Sequence, residues 1–178
     1  MKKFTLLLFG LLLLSKLFSQ NVTDTLFDRG YLVKIGDVAP NITIEYLDGK
    51  KISLSELKGR VVLLQFTASW CGPCRREMPH LEKEIWQPYK DKGLFFVGID
   101  LKESPEKVRQ FADTIKITYP LTLDIDGSKF YSFAVQGAGV TRNILIDKNG
   151  KIVFLTRLYD DNEFNALKEK VKELMEKG

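Results

Sequence analysis

The sequence predicts an α/β fold in which a mixed central sheet is flanked by helices. The first observation is a strand–helix–strand unit, in which apolar runs at residues 61–66 and 94–99 enclose a helical pattern over 71–89. Two such strands are parallel and are joined by a right-handed crossover. The second observation is a pair of hairpins on either side of this unit, with D-G and N-G turns at 48–49 and 149–150. These dipeptides favour the tight turns of antiparallel hairpins.

Each remaining element has a local signal. Apolar residues at spacings of three and four mark the helix over 71–89, and Pro79 inside it predicts a kink. Ser104 followed by a proline predicts the start of a second long helix. The other predicted elements are a hairpin of 42–46 with 50–52, a helical turn at 53–59, an extended piece at 119–123, a short helix after 126–128, a hairpin of 143–147 with 151–155, and a helix at 163–177.

Residues 1–19 have the pattern of a signal peptide. Two lysines precede an apolar run over 4–14, and Ser19 is a small residue at the cleavage position. An uncleaved anchor is the alternative, although the run is short for a span of roughly 20 residues. We expect export to the periplasm, with membrane attachment only if cleavage fails. Residues 20–34 are predicted to be a lead-in segment, and residues 35–178 are predicted to form one domain.

The composition describes an ordinary globular chain. Hydrophobic residues make up 44% and charged residues 28% of its 178 positions, which excludes a disordered protein. Removing residues 1–19 takes away three lysines and no acid, so the net charge falls from +4 to +1. The sequence therefore carries no strong basic field, and nucleic acid is not an expected partner.

The chain has two cysteines, Cys71 and Cys74, at the start of the first predicted helix. Residues three apart share a helix face, so the pair can reach disulfide geometry. The helix start favours a thiolate at Cys71 by lowering its pKa. We therefore predict that Cys71 is the attacking nucleophile and that the more buried Cys74 is the resolving thiol.

Two other roles for the cysteine pair are less favoured. A structural disulfide that closes a loop this short contributes only about 2 kcal/mol. A zinc site needs four ligands, and His80 is the only histidine of the chain. No metal is therefore expected within one chain, although a site shared between two copies stays open.

The sequence around the cysteines resembles a known family. The motif W-C-G-P-C at 70–74 is the active-site signature of the thioredoxin superfamily, and the run F-T-A-S-W-C-G-P-C-R-R-E-M-P at 66–79 is similar to TlpA/ResA-type exported thiol–disulfide oxidoreductases. The first hairpin, the helical turn after it and the second hairpin agree with that group. The resemblance implies a thioredoxin fold with an N-terminal β-hairpin extension.

The same resemblance implies an activity. It implies reduction of disulfides in exported proteins, as in proteins related to cytochrome c biogenesis, with electrons from a membrane thiol protein. The disulfide of the two cysteines would be the redox-active group, with no further cofactor. Trp70, Gly72 and Pro73 would then contact the substrate.

Glu77 is the third predicted catalytic residue. In the family, a glutamate at this position lies beside the buried cysteine and tunes its protonation. Glu77 is three residues after Cys74, on the same helix face, so a buried carboxyl there could take the proton of Cys74. The alternative is a solvated surface charge. Gln65 stands where thioredoxin is expected to have a buried aspartate, which leaves Glu77 as the one carboxylate that the sequence places near the pair.

The sequence departs from the family at Thr141. The family has a cis-proline there, which packs against the cysteines and contacts the substrate backbone. A cis bond before threonine costs roughly 3–4 kcal/mol, so the bond is either enforced by its surroundings or trans in a different loop. Val140 and Thr141 remain the expected substrate-binding residues of this loop. A different substrate, altered release of mixed disulfides and a drifted site all stay open.

Two further function classes stay open. A thiol peroxidase would need a single low-pKa cysteine with a peroxide pocket, and the paired cysteines argue against it. A binding module with the same fold but poor turnover is kept open by Thr141. Reduction is favoured over oxidation, although the direction depends on a reduction potential that the sequence does not determine.

Overall fold

A computed structural model describes residues 29–176 of the chain. The predicted signal peptide at 1–19 and the first part of the lead-in segment lie outside these residues. Within the described range, no helix is both long enough and apolar enough to cross a membrane.

The described residues form a seven-stranded sheet. Its strands are β1 Thr43–Tyr46, β2 Lys51–Ser53, β3 Val62–Thr67, β4 Phe95–Leu101, β5 Leu121–Asp124, β6 Arg142–Ile146 and β7 Ile152–Arg157. Their order across the sheet is β2-β1-β5-β4-β3-β6-β7. β4 pairs in parallel with β3 and β5, and the other neighbours are antiparallel. This confirms the predicted mixed sheet and its N-terminal hairpin.

Helices cover both faces of this sheet. The α-helices are α1 Gly72–Leu81, α2 Pro105–Ile115, α3 Ser128–Tyr131 and α4 Asp161–Glu176, and Leu54–Leu57 forms a 3-10 turn. After α1 the chain continues through a π turn at Glu82–Trp86, a helical turn at Gln87–Tyr89 and a 3-10 turn at Lys90–Lys92.

The sequence predicts a kink at Pro79, and the structure shows a change of hydrogen-bond pattern after this residue. It lies within α1, and the helical hydrogen-bond pattern changes only after it, in the π turn. The N–H of Glu82 donates to the carbonyl oxygens of both Met78 and Pro79. The missing N–H of proline is thus followed by a local rearrangement of the kind that single π turns provide.

The sheet separates two cores because successive residues of a strand point to opposite faces. Leu64 and Phe66 of β3 pack into one core with the 3-10 turn, α3, Tyr31 and the two cysteines. Leu63 of β3 packs into the other core, which α1, α2 and α4 cover. The disulfide therefore sits against an apolar cluster at one end of the sheet.

Strand register brings the predicted site residues together at one end of the strands. β3 and β4 finish at this end of the sheet, and β6 begins there because it runs antiparallel to β3. Phe66 pairs with Arg142, so Thr141 lies beside the turn that joins β3 to α1. Residues far apart in the sequence therefore meet at the cysteines.

Candidate active site

Cys71 and Cys74 form a disulfide at the start of α1. Their Cα atoms are 5.3 Å apart, within the range that a disulfide requires. Cys71 caps the helix, and its Sγ accepts a hydrogen bond from the N–H of Cys74 at 3.2 Å. The predicted pairing geometry is confirmed, while the separate roles of the two cysteines stay predictions.

The motif residues differ in exposure. The Trp70 side chain is 64% exposed, whereas Cys71 is 4% exposed and Cys74 is fully buried. Gly72 is exposed and Pro73 is half-buried. Trp70 and Gly72 thus lie on the surface on either side of a mostly covered cysteine in the sequence.

Thr141 touches both sulfur atoms. Its Oγ1 lies 3.1 Å from the Sγ of Cys71 and 3.2 Å from the Sγ of Cys74. A disulfide sulfur carries no proton, so the threonine hydroxyl is the donor. The described residues contain no cis peptide bond, so the bond from Val140 to Thr141 is trans. Both side chains are buried, and the Thr141 hydroxyl occupies the position where the sequence resemblance predicts a proline ring.

A Thr141→Val substitution should slow the reaction of reduced Cys71. The hydroxyl is placed to donate to the Cys71 thiolate, and a hydrogen bond to a charged group contributes about 1.5–3 kcal/mol. We expect roughly tenfold slower alkylation by iodoacetamide at pH 6, since about 1.4 kcal/mol corresponds to a factor of ten. Thr141→Ser is the matched control because it keeps the hydroxyl. Equal rates in all three proteins would show that the Thr141 hydroxyl does not activate Cys71.

Arg142 holds the loop that carries Thr141. Its side chain is buried and lies over the ring of Tyr31, with the guanidinium carbon 4.2 Å from the ring centroid. Nε donates to the Gly139 carbonyl oxygen at 3.0 Å, and Nη2 donates to the Arg29 carbonyl oxygen at 2.7 Å. The predicted lead-in segment therefore packs against the loop through its residues 29 and 31, a contact that no periodic pattern in the sequence indicates.

Glu77 is buried, which excludes the alternative of a solvated surface charge. It is 1% exposed. One carboxylate oxygen accepts from Nδ2 of Asn143 at 2.6 Å, and the other accepts from Nε2 of Gln65 at 3.3 Å. Gln65 and Asn143 are direct partners on β3 and β6, so their side chains share the face that α1 covers. The hydroxyl of Tyr119 donates to Gln65 Oε1 at 2.8 Å and completes the chain of contacts.

Burial raises the pKa of Glu77 from 4.5 to about 7. The donors on Asn143 and Gln65 oppose this shift, and the negative charge of Glu163 adds to it. The removal of the carboxylate from water outweighs two hydrogen bonds because a buried charge loses more hydration than two neutral amides restore. A carboxyl that changes protonation near neutral pH therefore lies one helical turn beyond Cys74.

A second carboxylate lies near the site, and no motif in the sequence indicates it. Glu103 is buried after β4 and accepts hydrogen bonds from the N–H of Ser69 at 2.6 Å and from its hydroxyl at 2.7 Å. Ser69 directly precedes Trp70, so Glu77 is not the one carboxylate in this region. The signal that could have found Glu103 is the parallel pairing of β3 with β4, which brings the segments after both strands together.

These observations define a class of protein. A buried disulfide lies where a central strand meets a helix, at one edge of a mixed sheet flanked by helices. This is the arrangement of a thioredoxin-fold thiol–disulfide oxidoreductase. Comparison with known proteins supports this class, because the sequence model of the AhpC/TSA family matches residues 35–155 of the chain. The chain belongs to this family.

Individual relatives agree with this class. The chain is 33% identical over 143 residues to a Bacillus cereus protein named thiol-disulfide oxidoreductase ResA, covering 80% of this chain and 81% of that protein. A solution structure of a candidate protein disulfide isomerase from Bacteroides thetaiotaomicron is 51% identical, with a TM-score of 0.80 and coverage of 83% and 93%. A crystal structure of a candidate thiol:disulfide interchange protein DsbE from Chlorobium tepidum is 28% identical, with a TM-score of 0.69 and coverage of 80% and 99%. The predicted fold and enzyme class are confirmed.

Proposed function

We propose that this enzyme reduces disulfides in exported proteins, with Cys71 as nucleophile and Cys74 as resolving thiol. The observation that carries the proposal is the buried carboxyl of Glu77, which changes protonation near pH 7 one helical turn beyond Cys74. A reductase must deprotonate its buried resolving thiol in every cycle, and such a carboxyl suits that task.

The first step is attack of the Cys71 thiolate on one sulfur of a substrate disulfide. A bond forms between Cys71 and that sulfur, and the other substrate sulfur leaves as a thiolate that takes a proton from water. The Cys74 thiolate then attacks the Cys71 sulfur. This step forms the Cys71–Cys74 disulfide and releases the second substrate sulfur as a thiolate, which takes a proton from water. Two electrons pass from the enzyme to the substrate, and no cofactor beyond the cysteine pair takes part.

Glu77 accepts the proton of Cys74 before the second step. Cys74 is fully buried, so water has little access to its thiol. A carboxyl with a pKa of about 7 is close to half ionised at neutral pH and can take a proton without a large energetic cost. The amide donors of Gln65 and Asn143 stabilise the carboxylate while it waits for that proton.

Export and the electron source complete the proposal. The signal-peptide pattern at residues 1–19 supports a location outside the cytoplasm. The oxidised enzyme then needs a dithiol donor, and we assign this role to a thiol protein of the membrane. Disulfide-bearing exported proteins are the proposed substrates. The relative named thiol-disulfide oxidoreductase ResA supports a disulfide substrate, and the signal-peptide pattern supports an exported one.

An insulin reduction assay tests the proposal. With dithiothreitol as electron source, the wild-type enzyme should accelerate precipitation of the insulin B chain, and Cys71→Ala should match the rate without enzyme. An inert wild type alongside an active Thr141→Pro variant would instead identify a binding module. Peroxide consumption by Cys74→Ala, without insulin reduction by the wild type, would identify a peroxidase.

A further inference from the structure

A second group of charged residues lies next to the cysteines, on the other side of β3 from Thr141. Asp100 of β4 pairs with Thr67 of β3 in parallel register. Its side chain is fully buried, and neither carboxyl oxygen accepts a hydrogen bond from a donor within the described part of the chain. Keeping a buried carboxylate ionised without a hydrogen-bond donor costs several kcal/mol. Asp100 is therefore expected to carry a proton.

Glu103 links this carboxyl to the active-site segment. Its two oxygens accept from the N–H and the hydroxyl of Ser69. Lys107 of α2 contacts one of these oxygens at 2.5 Å. Glu103 thus fastens the residue that directly precedes Trp70, and the ion pair with Lys107 compensates one negative charge.

The local charges balance only when Asp100 carries a proton. The charged groups that face it are Glu103, from the segment after β4, and Lys107, from α2. Its strand neighbours Thr67 and Leu123 do not titrate. One lysine can neutralise one carboxylate, so ionised Asp100 would leave a net negative charge in a buried position. Burial, the charge of Glu103 and a hydrogen bond from the protonated carboxyl to Glu103 raise the pKa of Asp100 to about 8, while Lys107 opposes the shift.

We propose that Asp100 is a positioning residue whose proton keeps Glu103 bonded to Ser69 and so holds Trp70 in place beside Cys71. When Asp100 loses its proton, two buried carboxylates repel each other and compete for Lys107. The hydrogen bonds between Ser69 and Glu103 then weaken, and the environment of the Trp70 indole changes. This switch is independent of the direction of electron flow and of Glu77, so it goes beyond the proposed function.

Trp70 fluorescence in the oxidised full-length chain tests this proposal. Trp86 is the other tryptophan and is replaced by phenylalanine in every protein used. The cysteines do not titrate while they form a disulfide. Between pH 6 and pH 9.5 we expect a single emission change with a midpoint near pH 8, as set by the pKa of Asp100. Asp100→Asn should lack this change, because the amide cannot ionise but can still donate to Glu103.

Three further variants make the test specific. Asp124→Asn is the matched control, since Asp124 is a fully buried aspartate at the end of β5 whose oxygens accept from backbone N–H groups, and it should keep the transition. Glu77→Gln should also keep it. Glu103→Gln should abolish the transition, because ionised Asp100 then faces no second carboxylate, and this holds as a test even if Asp100→Asn does not fold. An unchanged transition in Asp100→Asn or in Glu103→Gln, or no transition in the parent protein, would overturn the proposal.

Discussion

A Cys74→Ala variant should accumulate as a mixed disulfide with its substrates, and a Cys71→Ala variant should not. The first half-reaction needs only the Cys71 thiolate, whereas release of the substrate needs attack by Cys74. Cys74 is fully buried behind Cys71, so it cannot reach a substrate disulfide when Cys71 is absent. We expect near-stoichiometric adducts for Cys74→Ala on a non-reducing gel with insulin, and turnover at the uncatalysed rate for both variants.

The Cys71→Ala variant is the matched control, because each protein keeps one cysteine in the same helix. Adducts must disappear on addition of dithiothreitol, which confirms a disulfide link. Equal trapping by both single-cysteine variants would contradict the assigned roles of the two cysteines. Cys74 would then have to become accessible to substrates in solution.

A Glu77→Gln variant should remove a large pH dependence of stability. The pKa of Glu77 is about 7 in the folded protein, against 4.5 for its ordinary value, so between these values the folded state binds more protons than the unfolded state. The free energy of unfolding must therefore fall as pH rises through this window and level off above pH 7. At about 1.4 kcal/mol per pKa unit, the loss amounts to roughly 3 kcal/mol.

Urea denaturation of the oxidised protein from pH 4 to pH 8 measures this effect. Glutamine keeps the size of the side chain and cannot ionise, so its curve should stay flatter than that of the wild type by roughly 3 kcal/mol across the window. Glu169→Gln, on the exposed face of α4, is the control and should follow the wild type. Parallel curves for wild type and Glu77→Gln would show that folding does not raise the pKa of Glu77.

The fold was predictable because its signals are local. The apolar runs of β3 and β4, the N-G turn before β7 and the proline after Ser104 each act over a few neighbouring residues, and the structure has an element at each place. The disulfide was predictable for the same reason, since its geometry follows from two cysteines in one helical turn. Where local signals compete, as at Pro79, the outcome depended on hydrogen bonds formed one turn later.

The surroundings of the cysteines were less predictable because they depend on strand register. Asn143 holds Glu77 only because it pairs with Gln65 across β3 and β6. The sequence marks Thr141 as a position without the expected proline, but its contact with both sulfurs depends on the position of a loop. Asp100 and Glu103 carry no motif at all.

The reduction potential of the Cys71–Cys74 pair tests the central claim most directly. It is measured by equilibrating the enzyme in dithiothreitol buffers of known potential and counting free thiols by alkylation and mass. A protein-disulfide reductase should have a potential close to that of thioredoxin, about −270 mV, and we predict a value in that region. A value near that of the oxidant DsbA, about −120 mV, would contradict the account, because the enzyme would then introduce disulfides rather than remove them.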